Sequence, residues 1–316
     1  MTALSGPIRI GTRRSDLARW QANYVSEKLK ALDGTPSVEI VYIKTEGDRL
    51  TDVPLYSVEG KSFFTKEIEQ ALLDHRVDIA VHSLKDVATE LPAGLGLGAI
   101  LPREDPRDVL LSSSGDGLED LLSGARVGTS SLRRRALVAR WRPDLELVDL
   151  RGNVPTRIRQ LDDGEYDAIV LAAAGVKRLG LESNITAYLP LDRVLPAVAQ
   201  GAIGVQTRQD DEGVLGWIRR LDDADTRQAT KSERSLLHRL EGGCQVPVGA
   251  LARVEDGELT LRAVIVSLDG SRAVDGARSG PVQQSESIGR ALAEELLAEG
   301  GDAILDEIRA ATGDAG

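Results

Sequence analysis

A single cysteine among 316 residues excludes an internal disulfide and a cysteine-rich zinc site, and three scattered histidines leave no spacing for a set of metal ligands. No metal is expected. The opening MTALSGPIRIGTRRSDLARW has neither the basic and apolar stretches of a secretory leader nor the long apolar run of a membrane span, so a cytoplasmic protein without a membrane partner is expected. Basic residues are outnumbered, 39 to 50, and the net charge of -11 argues against broad binding to nucleic acid or anionic membranes, which an extended basic surface would attract. Any anionic ligand must therefore be gripped by individually placed arginines.

What is present is the 41% hydrophobic, 28% charged composition of a globular chain, long enough for two or three domains at roughly 100–200 residues each. The first two thirds alternate short β-rich runs with segments of helical period, the pattern of βα units around a mostly parallel sheet. Strands are predicted at Ile8–Gly11, Val38–Lys44, Asp78–Val81, Gly96–Leu101, Val109–Ser112, Arg126–Gly128, Leu145–Leu150 and Ala168–Ala172. Helices are predicted from Leu17 to Leu32 after a Ser15 cap, with Leu17, Trp20, Tyr24 and Leu32 facing the first sheet, from Phe63 to Leu73, and from Leu132 to Trp141 with a very basic outer face.

The two prolines of Leu101-Pro102-Arg103-Glu104-Asp105-Pro106 predict an interdomain crossing, and Leu195-Pro196 a second one. Two crossings let a strand at Ala202–Thr207 return to the first sheet. Beyond Ala224 a long charged helix leads to strands Ala250–Val254 and Glu258–Ser267 around the hairpin signal Asp256-Gly257, with helix resuming near Ser285. The expected fold is α/β: a first lobe from 1–101 with 202–219, a second from 107–195, a double hinge, and a smaller α+β domain over 224–316.

Several polar clusters follow predicted strands, where ligands bind in open α/β sheets. His82-Ser83-Leu84-Lys85-Asp86 is one, open by itself to two readings, a catalytic site or a solvated turn with a Lys–Asp pair. Arg13 with Ser15, Thr129 to Arg135, Arg151-Gly152-Asn153 with Arg157, and Lys177-Arg178 are the others. Each presents arginine near a turn or a helix start, whose N–H groups also favour anions. The forked, permanently charged guanidinium suits planar carboxylates, so a ligand with several carboxylates or phosphates is expected.

Leu55 stands where the first glycine of a P-loop ending Gly60-Lys61-Ser62 belongs, and Gly94, Gly96 and Gly98 are spaced by two, so neither ATP nor NAD is implied. Cys244 lies in the glycine-rich turn Glu241-Gly242-Gly243-Cys244-Gln245-Val246-Pro247. By its own surroundings a lone cysteine of this kind is more often a small buried hydrophobe than a nucleophile or an attachment point.

Taken together, Gly11-Thr12-Arg13 with Ser15, His82 to Asp86, Thr129 to Arg134, Arg151-Gly152-Asn153 with Thr156-Arg157, Gln200-Gly201-Ala202 and Glu241 to Pro247 resemble the porphobilinogen deaminase, or hydroxymethylbilane synthase, family. The resemblance spans almost the whole chain. It implies two lobes like those of periplasmic binding proteins with the active site between them, a third domain bearing the cofactor cysteine, and a monomer. It further implies a dipyrromethane cofactor joined by a thioether to Cys244, on which porphobilinogen units are added with loss of ammonia before hydrolysis releases a linear tetrapyrrole.

By motif position Asp86 becomes the acid–base residue that stabilises the cationic azafulvene left when ammonia departs. The carboxylates of substrate and cofactor fall to Arg13, Arg133, Arg134, Arg151, Arg157 and Arg178, with Ser15, Ser83, Lys85, Ser131 and Gln200. The loop from about Glu46 to Ser62 is a candidate cover. Ala88, Ala199 and Gln206-Thr207 depart from the family's usual proline, glycine and Glu-Cys pair. Two rival readings need fewer of these residues. A carboxylate-binding protein of the same architecture needs no Asp86 or Cys244, and a thiol enzyme needs a base near Cys244, for which His238 is on a different helix face.

Overall fold

The structure is a computed structural model that describes residues 6–45, 65–240 and 246–312. Cys244 and the 46–62 loop, with Gly47 and Gly60, lie outside the described residues. In chain order the elements are β1 (Ile8–Thr12), α1 (Asp16–Lys30), β2 (Val38–Tyr42), α2 (Lys66–Leu73), β3 (Ile79–Ser83), β4 (Leu95–Ile100), β5 (Asp108–Ser112), β6 (Arg126–Gly128), α3 (Leu132–Trp141), β7 (Glu146–Val148), α4 (Val154–Asp162), β8 (Ala168–Ala172) and α5 (Ala173–Arg178). After these come β9 (Ala187–Tyr188), β10 (Ile203–Arg208), α6 (Glu212–Ile218), α7 (Ala224–Leu240), β11 (Val248–Glu255), β12 (Glu258–Val266), β13 (Ala273–Pro281), α8 (Ser285–Leu296) and α9 (Asp302–Thr312).

The chain divides into two compact units, the first built from described residues 6–45, 65–104 and 201–227, the second from 105–200 and 228–312. The first unit's sheet runs β2-β1-β3-β10-β4, with only β10 antiparallel to its neighbours. Strand β3 is covered on both faces. Val81 packs on one side with Ala22, Val25 and Leu29 of α1, and Ala80 on the other with Ile68 and Leu72 of α2, which is why its sequence shows no alternation. The buried stripe of α1 differs from the expected one. Trp20 and Tyr24 stack on each other at its margin, 5.1 Å between ring centroids, and the smaller Ala22, Val25 and Leu29 fill the core.

In the second unit a five-stranded sheet repeats the same plan, β7-β6-β8-β5-β9, with β5 as the antiparallel member. A three-stranded antiparallel sheet, β11-β12-β13, carries α8 and α9. Asp256 (φ 51°) and Gly257 (φ 80°) form the two-residue turn between β11 and β12, both left-handed as that hairpin requires. Strand β13 escaped the sequence pattern because AVDGARSGP offers few apolar residues, and its pairing with β12 is what makes it a strand. Among the described residues no helix is long and apolar enough to cross a membrane.

Glu233 on α7 is fully buried, and its carboxylate accepts from the backbone N–H of Ala199 at 2.6 Å and of Ala252 at 2.8 Å. It thereby fastens α7 to the segment before β10 and to β11. Ala199 itself is left-handed (φ 59°), a conformation that costs a residue with a Cβ roughly 1–2 kcal/mol. Ala199→Gly removes that strain and is expected to raise stability by about 0.5–1 kcal/mol after the added freedom of the unfolded chain is subtracted, read as a higher urea midpoint. An unchanged or lower midpoint contradicts the account.

Candidate functional site

The first unit gathers polar side chains where β1 and β3 end. Beyond β1 the chain turns into α1 through Arg13 and Ser15, and Ser15 Oγ caps the helix by accepting from Ala18 N at 3.4 Å. Beyond β3 comes a single 3-10 turn, Leu84–Asp86, pinned by the fully buried Leu84 side chain and by the bond from Leu84 N to Ala202 O at 3.0 Å. An apolar anchor at Leu84 thus sets the exposed Asp86 at the strand's carboxyl end.

Arg13, Ser15, Ser83 and Asp86 line one recess of about 70 Å³, together with Gln21, Thr65 and His82. Gln21 Nε2 donates to Ser83 Oγ at 2.7 Å and so orients that hydroxyl. His82 is almost completely buried; burial pushes its imidazole down to about 4, the nearby Arg13 charge adds to the fall, and the Gln206 amide opposes it. The ring is neutral at physiological pH. Lys85 shares the turn with Asp86 but is exposed and does not line the recess.

In the second unit the helix starts repeat this local design. Ser131 Oγ caps α3 by accepting from Arg134 N at 3.5 Å, and Asn153 Oδ1 caps α4 by accepting from Thr156 N at 2.9 Å. Here the structure corrects the expected basic outer face of α3. Arg133 and Arg134 point inward, at about 5–7% side-chain exposure, to a carboxylate that the sequence reading passed over, Asp108. Arg133 Nη1 reaches Asp108 Oδ2 at 2.7 Å and Leu195 O at 2.6 Å, while Arg134 holds Asp108 Oδ1 through Nε at 3.0 Å and Nη2 at 2.8 Å.

Gln200, fully buried, joins the same cluster: its Nε2 donates to Asp108 Oδ1 at 2.9 Å and to Pro106 O at 2.7 Å. Burial alone would push the Asp108 carboxyl up, but the two guanidinium charges and the bonds from Arg133 and Gln200 outweigh it and hold the group well below the usual carboxylate range. The other arginines are placed differently. Arg157 Nε donates to Gly152 O at 2.8 Å, bracing the turn before α4, where Gly152 is left-handed (φ 103°). Arg151 is half-buried after β7, and Arg178 is nearly buried in the last turn of α5.

The structure therefore brings four of the expected residues together in the recess and three others, Arg133, Arg134 and Gln200, around Asp108. Gln21, Thr65 and Asp108 were not anticipated. An acidic residue heading the apolar strand DVLLS was the one available signal for Asp108, because a charge in such a run has to be paired.

Residues 8–216 match the family model described as porphobilinogen deaminase, dipyromethane cofactor binding domain, and residues 228–298 match the model of the porphobilinogen deaminase C-terminal domain. The porphobilinogen deaminase of Geobacter sulfurreducens is 52% identical over 301 residues, covering 95% of this chain and 94% of that one. The porphobilinogen deaminase of Syntrophomonas wolfei is 52% identical over 302 residues, covering 96% and 99%. Among solved structures, the VFT2 domain of Bordetella pertussis BvgS is similar at 14% identity over 68% of this chain and 85% of that one, with a TM-score of 0.41.

Proposed function

This chain belongs to the porphobilinogen deaminase family, and from that premise we propose that Asp86 is its acid–base residue and Cys244 the point at which its dipyrromethane cofactor is attached. The protein is an enzyme, hydroxymethylbilane synthase, a transferase that joins porphobilinogen units in tetrapyrrole biosynthesis. The observation that carries the assignment of Asp86 is the recess that it lines together with Arg13, Ser15 and Ser83. A carboxylate there can accept hydrogen bonds from a pyrrole N–H and offset positive charge as the C–N bond of the substrate breaks. The same group can take and return protons in the successive steps, since all of them occur at one reacting centre.

Guanidinium and hydroxyl groups neutralise the substrate's acetate and propionate. Arg13 and Ser15 do so in the recess, with Ser83 and Lys85 beside them; Ser131, Arg151, Arg157 and Arg178 are the corresponding donors of the second unit. Dipyrromethane carries carboxylates too, and the donor set suits it: Arg133 Nε is a buried donor without a hydrogen-bond partner. When bound, that group supplies the pyrrole end on which the product is built. Arg133, Arg134 and Gln200 complete the set of binding donors, and their bonds to Asp108 hold the first turn of α3 rigid for that role. Kinship with the family favours a cytoplasmic monomer, and the acidic net charge disfavours nucleic-acid or membrane partners.

The attachment is tested by the denatured intact mass after incubation with porphobilinogen, taken beside a Cys244→Ala variant treated identically. The parent is expected to carry an excess equal to two linked pyrrole units and the variant none. Equal masses at the unmodified value withdraw the attachment and favour a carboxylate-binding protein instead.

A further inference from the structure

His82, on the wall of the recess that holds Asp86, ends a row of three buried polar side chains, His82, Gln206 and Glu69. Strand β10 places Gly204 opposite His82 and Gln206 opposite Ala80, so Gln206 lies diagonal to His82 on the same face of the sheet. Glu69 comes from α2, and its Oε1 accepts from Gln206 Nε2 at 3.0 Å. That bond uses the NH2 group of Gln206 and so turns the amide oxygen the other way. Gln206 Oε1 and His82 Nε2 are both inaccessible, neither has another partner among the described residues, and the pull of the amide on the ring pairs them. An amide oxygen can only accept, so the neutral imidazole carries its proton on Nε2.

The charges around this ring can be named. Arg13, from the turn after β1, and Asp86, from the turn after β3, share the recess with it, while α1 offers the uncharged Ser15 and Gln21. Glu69 stands beyond the Gln206 amide. Burial and the Arg13 charge hold the imidazole down to about 4. An amide oxygen can take the Nε2 proton in a hydrogen bond without the negative charge that would draw a second proton onto the ring. A carboxylate in the same place would supply that charge. Glutamate is the family's usual residue at position 206, so the amide is this chain's own departure.

We propose that Gln206 is a positioning residue of the reaction that acts through His82: oriented by Glu69, its amide fixes the ring with one hydrogen bond and keeps it uncharged at physiological pH, so that the recess gains no cation beside Arg13. The inference rests on reading the recess as the substrate site. As the C–N bond of porphobilinogen breaks, its electron pair leaves with nitrogen and positive charge passes to the pyrrole. A charged imidazole on the wall of the recess would oppose that step, and repulsion is strong where water is scarce.

Gln206→Glu restores the family's usual residue and sets a carboxylate against the ring. It is expected to raise the His82 midpoint from about 4 to between roughly 5 and 7. The midpoint is read by NMR titration of the ring protons; the other two histidines, His75 and His238, are exposed, and their signals are identified by their loss in His75→Gln and His238→Gln. In Gln206→Glu, kcat for porphobilinogen should acquire an acid limb at the new midpoint, falling roughly ten-fold for each pH unit below it, which the parent profile lacks. The shape of the profile carries the test, so a uniform loss from altered packing does not imitate it. Glu69→Gln combined with Gln206→Glu exchanges the two side chains at constant net charge and should show the same limb; it decides alone if the single variant fails to fold. A His82 midpoint that stays near 4 means that the amide is not what the ring faces, and a midpoint that rises while the kcat profile keeps its parent shape means that charge on the ring is without consequence; either result overturns the proposal. A parent protein that consumes no porphobilinogen refutes the enzymatic reading and the inference with it, and that is seen before any variant is made.

Discussion

Asp86→Ala is expected to turn porphobilinogen over at least roughly a hundred-fold more slowly than the parent protein, the usual minimum for loss of a positioned acid–base group. Stability should change by no more than about 0.5 kcal/mol, as for other exposed side chains. The two effects separate because of how the turn is built. Leu84 and Val87 are buried and hold the turn in place, while Asp86 between them is exposed and contributes no core. Asp86→Glu keeps a carboxylate but moves it by a methylene, and positioning within an ångström matters, so its turnover should fall between the other two. Turnover is read from consumption of porphobilinogen, and urea unfolding of the same samples reports stability. Near-normal turnover in Asp86→Ala removes the residue from its central role. Slow turnover with an equally large loss of stability would show a structural residue.

The contrast between Asp86 and Asp108 shows which features local sequence can carry. Asp86 follows an apolar run and sits in a polar pentapeptide, and both signals lie within ten residues of it, so the strand-end reading finds it. Asp108 has meaning only through residues about 25 and 92 positions away, Arg133, Arg134 and Gln200. Nothing near Asp108 announces them. The same limit applies to helix α3, whose four charged positions look like a solvated face until the partner that draws two of them inward is known. Pairing with β12 also made β13 a strand against its own composition. The alternation of β and α elements and the Asp256-Gly257 turn could be read because each depends on neighbours in the chain.

Asp108→Asn is expected to lower stability by about 3–5 kcal/mol at neutral pH, the usual result of removing one partner from a buried ion pair. The side chain keeps its outline, but the charge goes and one accepting oxygen becomes an NH2 that faces guanidinium donors. Arg133 and Arg134 are then left charged in an interior that excludes water, and arginine cannot shed its proton to escape. The pH dependence gives the sign independently. Asp108 binds its proton less readily folded than unfolded, so its stabilising effect is complete above the unfolded carboxyl value, about 4, and is lost as pH falls below it. His82 acts at higher pH in the same direction: its folded value is about 4 against an unfolded value of 6.5, so its effect is present above 6.5 and is lost between those limits. The parent should therefore weaken from pH 6.5 downwards in two stages, and Asp108→Asn should share the first stage and lack the second. Urea midpoints at pH 7, 5 and 3.5 test this. A gap between parent and variant that narrows at pH 3.5 supports the buried pair as the source of stability, and a gap that stays constant assigns the loss to packing at the altered side chain instead.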